Sequence, residues 1–351
     1  MTECIYYNAK LYNNKRSPIM AQLNDTRNQA ILQRADQYRA SIIRFSVNGS
    51  LLPLLIPTIT TVSAPLITTY SVTLTFAGAS VQQYVVYTPP TNGQLKFSLG
   101  QVRYAYYYFN SFLDDLNEAF RVAYINLLGV RPAMPATTPP VMSWDPVKQL
   151  FTLYTESSYV TTPIMISMNA DLFNLFQSYQ SIFNGYDSVF GRDYDLVMTL
   201  SNTINSSVPP ETLPPIISAF PVPVYGLVQE FKSLSQFSPV QSIFFTSYII
   251  PAKNEYLPFN NLNSQSVNVG SDSLPIITDF EPILGSDMEF NRGQTQYLPT
   301  AQYRYITLES DINLNTIDLQ AYWTDPKGTV YPLLIDVGYY VSVKILFEKI
   351  K

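Results

Sequence analysis

The sequence predicts a mainly β protein, a sandwich or barrel interrupted by one helical insertion. Three observations carry that expectation: many short runs in which apolar and polar residues alternate, 26 prolines among 351 residues, and one stretch where the apolar period changes to three and four. The clearest run is "IDLQAYWTDPKGTVYPLLID", residues 317 to 336. Ile317, Leu319, Ala321 and Trp323 alternate with Asp318, Gln320, Tyr322 and Thr324, which places one face of a strand on a core. Asp325-Pro326-Lys327-Gly328 then supplies a tight turn, proline presetting φ and glycine accepting the left-handed conformation. Val330, Leu333 and Ile335 start the return strand, so the segment reads as a β-hairpin.

Taken in order, residues 1–38 show no sustained alternation and read as an N-terminal arm or a pair of short edge strands. A strand follows from Ile42 to Val47, and residues 71–90 give two more, joined through Ala77-Gly78-Ala79-Ser80. Phe109, Phe112, Leu113, Leu116, Phe120, Ala123, Tyr124 and Leu127 then form one apolar helical stripe. Gly129 is the expected C-cap and Pro132 a stop, with Asp114, Asp115 and Glu118 off the stripe. "VMSWDPVKQLFTLYTE" is a strand, an Asp-Pro turn and a strand; the next segment runs from a strand into a short helix capped by Asn169 or Asp171. Residues 200–224 read as a Ser-, Asn- and Pro-rich loop, and the last 110 residues return to strands. The expected division is an arm over 1–38 and one β domain over 39–351, with helix and loops inserted between residues 100 and 225.

Charged residues make up 13% of the chain, against about 25% in soluble domains, while aromatics reach 14% with 27 Tyr and 20 Phe. Aromatic enrichment with charge depletion is the composition of buried interface cores, so a subunit covered by neighbours is expected; a stable secreted β-protein is the alternative. The net charge of −5 argues against an ordinary nucleic-acid binder. The first 44 residues nevertheless carry seven basic side chains against Glu3, Asp25 and Asp36. Cys4 is the single cysteine, which suits a reducing compartment, and neither a signal peptide nor a membrane span is expected.

The absences exclude most catalytic chemistry. With no histidine there is no Ser-His-Asp or Cys-His nucleophile and no HExxH zinc site, and one cysteine cannot build a thiolate cluster. No GxG occurs, so dinucleotide and Walker-type phosphate loops are missing. Carboxylates remain: Asp193 and Asp195, or Asp279, Glu281, Asp287 and Glu289, have the chemistry for glycoside cleavage, and the second group for Ca²⁺. Solvated loop positions explain both groups, and the wet face of the helix explains Asp114 and Glu118. The run "YAYYYF" (104–109) has only Arg103 nearby, so packing explains it better than base stacking. No catalytic, cofactor-binding or metal-binding residue is therefore assigned.

"QYLPTAQYRYITLESDINLNTIDLQAYWTDPKGTVYPLLIDVGYYVSVKILFEKI" (296–350) resembles the C-terminal region of penton, or minor capsid, proteins of Polinton-like viruses, adintoviruses and virophages. "YYNAKLYNN", "YRASIIRFSVNGSLLPLLIP", "FNSFLDDLNEAF" and "WDPVKQLFTLY" fit the same pattern, so the resemblance spans most of the chain. It implies a jelly-roll β-sandwich with a helix-containing insertion. Five copies of such a chain would close each icosahedral vertex of a virion, beside trimers of a double jelly-roll major capsid protein, assembled inside the infected host cell. The N-terminal arm would touch genome or neighbouring capsid proteins. Adenovirus penton bases display an Arg-Gly-Asp loop, which this chain lacks; "GRD" at 191–193 has the wrong order. The alternatives are a compact double jelly-roll major capsid protein forming trimers and a carbohydrate-binding or carbohydrate-active sandwich.

Overall fold

The computed structural model describes the chain except residues 1–2, 17–18, 49–51, 62, 90–103, 163, 185–192, 205–219, 222, 238, 253–254, 259–272, 282–293, 298–303, 327, 336 and 351. Two compact units emerge, one of residues 1–53 with 238–351 and the other of 54–237. The first begins with strands β1 (Cys4–Tyr12), β2 (Ile19–Met20), β3 (Gln22–Thr26) and β4 (Tyr38–Asn48). The second holds β5 (Ile67–Phe76), β6 (Ala79–Val86), helix α1 (Phe109–Val130), β7 (Val141–Asp145), β8 (Leu150–Glu156), α2 (Ser158–Thr161), β9 (Met165–Asn169), α3 (Ala170–Phe176), β10 (Ser181–Asn184), β11 (Asp193–Leu196) and β12 (Val224–Val228). The chain then completes the first unit with β13 (Ser242–Thr246), β14 (Glu255–Pro258), β15 (Ser273–Phe280), β16 (Gln294–Tyr297), β17 (Ile306–Thr307), β18 (Thr316–Thr324), β19 (Val330–Pro332), β20 (Leu334–Ile335) and β21 (Tyr340–Lys349).

In the first unit one sheet runs β1-β21-β4-β16, and the other places β14, β15, β13 and β18 in order, with β3 and β19 sharing the far edge of β18. All these pairings are antiparallel. Eight strands, taken in chain order as β1, β3, β4, β13, β15, β16, β18 and β21, pair first with last, second with seventh, third with sixth and fourth with fifth. That is a long antiparallel ribbon folded over into two sheets, the jelly roll. The second unit enters between the third and fourth strands of the ribbon, β4 and β13.

Period-two patterning fills the sandwich. Tyr7, Ala9 and Leu11 of β1, Val341, Val343, Ile345 and Phe347 of β21, and Ile317, Leu319, Ala321 and Trp323 of β18 are all buried. Phe45 of β4 crosses between the sheets, 5.5 Å from the ring of Phe245 on β13 and 4.6 Å from that of Phe280 on β15. Residues 1–38, which show no clear period in the sequence, thus supply β1 and β3. Tyr6 and Tyr12 lie on the outer side of β1 and hide its alternation behind apolar letters.

The hairpin at 316–332 forms as its sequence requires. Gly328 takes φ +77° in the turn, and Trp323 stacks on Tyr331 at 4.2 Å. The return run then leaves the hairpin, because Leu334 and Ile335 pair with Met20 and Ile19. At residues 76–79 the connection is tighter than expected: Ala77 and Gly78, both at positive φ, make the whole loop between β5 and β6.

In the second unit α1 packs on β5 and β6 of the sheet β10-β11-β9-β5-β6. Phe112, Leu116, Phe120, Ala123 and Leu127 are fully buried, as the stripe predicts. Two details correct the sequence reading. Gly129 lies inside the helix, which ends when Arg131 donates its N–H to the carbonyl of Leu127 at 2.7 Å. Asp115 is buried beside the stripe, where it accepts hydrogen bonds from Tyr106 Oη and Thr88 N–H. Asn169 is the cap of α3, its side chain accepting from Leu172 N–H.

Candidate assembly surfaces

Asp193 and Asp195 share one side of β11, two residues apart. Asp195 accepts hydrogen bonds from Ser167 Oγ at 2.6 Å and from Asn184 Nδ2, which ties β11 to its neighbours β9 and β10. Burial, and then the adjacent Asp195 charge, raise the Asp193 pKa above the usual carboxylate value. Asp279 points outward from β15 and forms an ion pair with Arg304, while Glu281 is exposed just past the strand. Asp287, Glu289 and residues 191–192 lie outside the described residues. On α1, Glu118 pairs with Arg121 at 2.6 Å and Asp114 is exposed, so the two do not act together. Among the described residues no group of three His, Cys, Asp or Glu side chains is placed to hold a metal ion.

The tyrosine run divides between core and surface. Tyr106 is buried at an edge-on contact of 5.0 Å with Tyr87, whereas Tyr108 is exposed. Cys4 is exposed at the start of β1. No helix among the described residues is long and apolar enough to cross a membrane.

Sequence reasoning missed the buried carboxylates that pin loops. Glu156 accepts from Thr137 N–H and Thr137 Oγ, both at 2.7 Å, from Thr138 Oγ at 2.9 Å, and from Ser158 Oγ. Burial pulls its pKa up, but these donors outweigh that and hold it below the usual value. Asp318 accepts from Ser247 Oγ, Tyr248 N–H at 2.8 Å and Ile249 N–H at 3.0 Å, so the segment after β13 folds onto the outer side of β18. Asp325 accepts from Thr329 N–H at 2.8 Å and Tyr331 Oη at 2.9 Å, closing the hairpin turn from inside. A carboxylate close to Ser and Thr in turn-forming sequence was the available signal, in "TESS" and "TDPKGT".

The outer side of the β1-β21-β4 sheet is the most distinctive exposed surface of the first unit. Tyr6, Asn8, Lys10 and Tyr12 project from β1; register places Ser342, Lys344 and Leu346 on the same side of β21, and Arg44 and Ser46 on that of β4. Lys10 lies over the Tyr340 ring at 4.2 Å and Lys344 over Tyr6 at 4.8 Å. Lys344 and Arg44 are direct cross-strand partners. Among the described residues, the ion pairs on this sheet lie at its far end, where Glu348 pairs with Arg39 and Glu3 with Lys349.

The eight-stranded jelly roll of the first unit, in a chain whose buried carboxylates fasten loops, fits the class of structural capsid proteins. A family model for the Sputnik minor capsid protein V18/19 matches residues 5–349, and the chain belongs to that family, a family of structural capsid proteins and not of enzymes. The structural protein V19 of Sputnik virophage is 30% identical over 213 residues, covering 59% of this chain and 92% of that protein. A chain of the Sputnik virophage structure solved by cryo-EM at 3.5 Å superposes with a TM-score of 0.79 at 25% identity, covering 99% of this chain and 98% of that one. The crystal structure of the selenomethionine-labelled mavirus penton protein has the same fold, with a TM-score of 0.63 at 16% identity over 99% of this chain and all of that one. The protein is accordingly a structural component of a virion.

Proposed function

We propose that the chain is the penton subunit of an icosahedral virion, five copies closing each vertex beside trimers of a major capsid protein. The observation that supports this reading best is the pairing of eight strands as one folded ribbon, with a separate unit inserted between β4 and β13. The fold shared with the mavirus penton protein over the whole chain agrees with it. A compact double jelly roll would need a second such ribbon. Residues 54–237 form instead a five-stranded sheet in the order β10-β11-β9-β5-β6 and a three-stranded sheet in the order β12-β8-β7.

The domain reading that follows is one jelly-roll capsid domain, residues 1–53 with 238–351, carrying residues 54–237 as its insertion. Assembly takes place in the infected host cell before the virion is released. No residue has a catalytic, cofactor or metal role, so Asp193→Asn with Asp195→Asn leaves ring formation intact. The test is the oligomeric mass of the purified chain by light scattering, with class averages from negative stain. Fivefold rings support the reading, and trimers with a hexagonal outline refute it.

A further inference from the structure

The outer side of the β1-β21-β4 sheet holds a combination that a free surface does not favour. Arg44 and Lys344 face each other directly across neighbouring strands, and like charges so placed destabilise a sheet. No carboxylate among the described residues forms an ion pair with Lys10, Arg44 or Lys344, although Arg27, Arg34, Arg39, Arg121, Lys148, Arg304 and Lys349 all have one. Exposed Tyr6 and Tyr12 flank the cations, 56% and 52% accessible. Exposed tyrosine beside Arg44 matches the enrichment of interfaces in Tyr and Arg, and Lys10 and Lys344 lie over the Tyr340 and Tyr6 rings. The surface therefore lacks an anionic, partly aromatic partner.

The other sheet of the same unit carries the complementary chemistry on its outer side. Asp279 on β15 is the cross-strand partner of Phe244 on the side turned away from the other sheet; Phe244 is itself buried there against Ile276, Val330 and Tyr322, while Asp279 stays half-exposed. Glu281 follows it in the same direction and is exposed. The segment pinned by Asp318 adds Tyr248 and Ile249, 62% and 41% accessible. The two outer sides belong to opposite sheets of one sandwich, and a contact of one with the other is heterologous, which closes into a ring only where the rotation between copies closes.

We propose that the Lys10, Arg44 and Lys344 side of one copy docks on the Asp279 and Glu281 side of the next copy of this chain. The inference rests on the penton reading and names the surfaces that join its subunits. Arg304, already paired with Asp279, shares that carboxylate with the incoming cations, and Glu281 supplies the second anion. Because the contact is electrostatic at its rim, ring formation weakens with salt.

The test compares Arg44→Glu with Lys344→Glu, Asp279→Lys with Glu281→Lys, and all four changes together, in the full-length chain. Either reversed side should raise the concentration needed for rings about tenfold or more, since it sets like charges against each other. Restoring complementarity with all four changes should recover assembly. A milder variant, Arg44→Gln, retains the fold because it removes one member of a repelling pair, and it should still weaken rings. If the unaltered chain forms pentamers and the reversed chains do so equally well, the surface assignment is wrong while the penton reading stands. If reversal spares the rings but abolishes retention of a single-stranded oligonucleotide, the cations serve phosphate and the proposal is overturned. If the unaltered chain forms no pentamer, both readings fall together.

Discussion

Glu156 shows how single carboxylates hold this protein together without taking part in chemistry. Four donors converge on it, from Thr137, Thr138 and Ser158, inside the second unit. Replacement by Gln puts an amide donor among donors, and hydrogen bonds to a charged acceptor contribute about 1.5–3 kcal/mol; urea denaturation of Glu156→Gln should show a loss of that size at pH 7. The folded pKa lies below the unfolded one, so Glu156 stabilises the fold above the ordinary carboxylate range, and that contribution disappears as pH falls through the folded value. Asp115 has the opposite sign. Burial raises its pKa despite donors from Tyr106 and Thr88, so its charge opposes folding increasingly as pH rises through the folded value. Asp115→Asn should therefore compare more favourably with the unaltered chain at pH 7 than at pH 4, in the same denaturation experiment. Neither role was legible in the sequence. Helical spacing marked Asp115 as polar and so as wet, but whether a polar group is wet depends on what folds over it, here Tyr106 and residue 88, which are distant in a helical projection.

Locally encoded elements were legible, and their sequences allow firm expectations. The stripe of α1 was read residue by residue because its partners lie three and four positions apart. Phe120, at zero exposure in the middle of that stripe, fills the space between helix and sheet. Phe120→Ala should cost about 3–5 kcal/mol, measured by urea denaturation. The hairpin at 316–332 was equally plain, since its turn residues and its period agree. Gly328 sits at φ +77° with open space where a Cβ would be, so Gly328→Ala tests backbone strain alone. A loss of about 1 kcal/mol is expected, and an unchanged midpoint would remove the left-handed turn from the account. β1 was obscured for a physical reason. Its outer side carries Tyr6 and Tyr12, so both sides of the strand look apolar.

At the scale of the whole molecule, almost nothing could be read from local pattern. The first unit is held by pairings between opposite ends of the chain: Cys4 is the partner of Glu348, and Arg39 joins Glu348 with both of its nearest guanidinium nitrogens, at 2.9 and 2.7 Å. A period of two reports that a strand exists and which side is buried, but it is silent about which strand lies beside it. Strand order and the boundaries of the insertion, at 54 and 237, came only from the pairings and contacts of the folded chain. Composition did carry one whole-molecule signal. Low charge and high tyrosine content anticipated a surface shared with neighbours, which we propose to lie on the β1-β21-β4 sheet. The measurement that bears most directly on the central claim is the mass of the purified full-length chain in solution by light scattering, taken with negative-stain class averages. Five copies in a closed ring are predicted; a trimer of hexagonal outline, or a chain that stays monomeric at every concentration, would contradict the account.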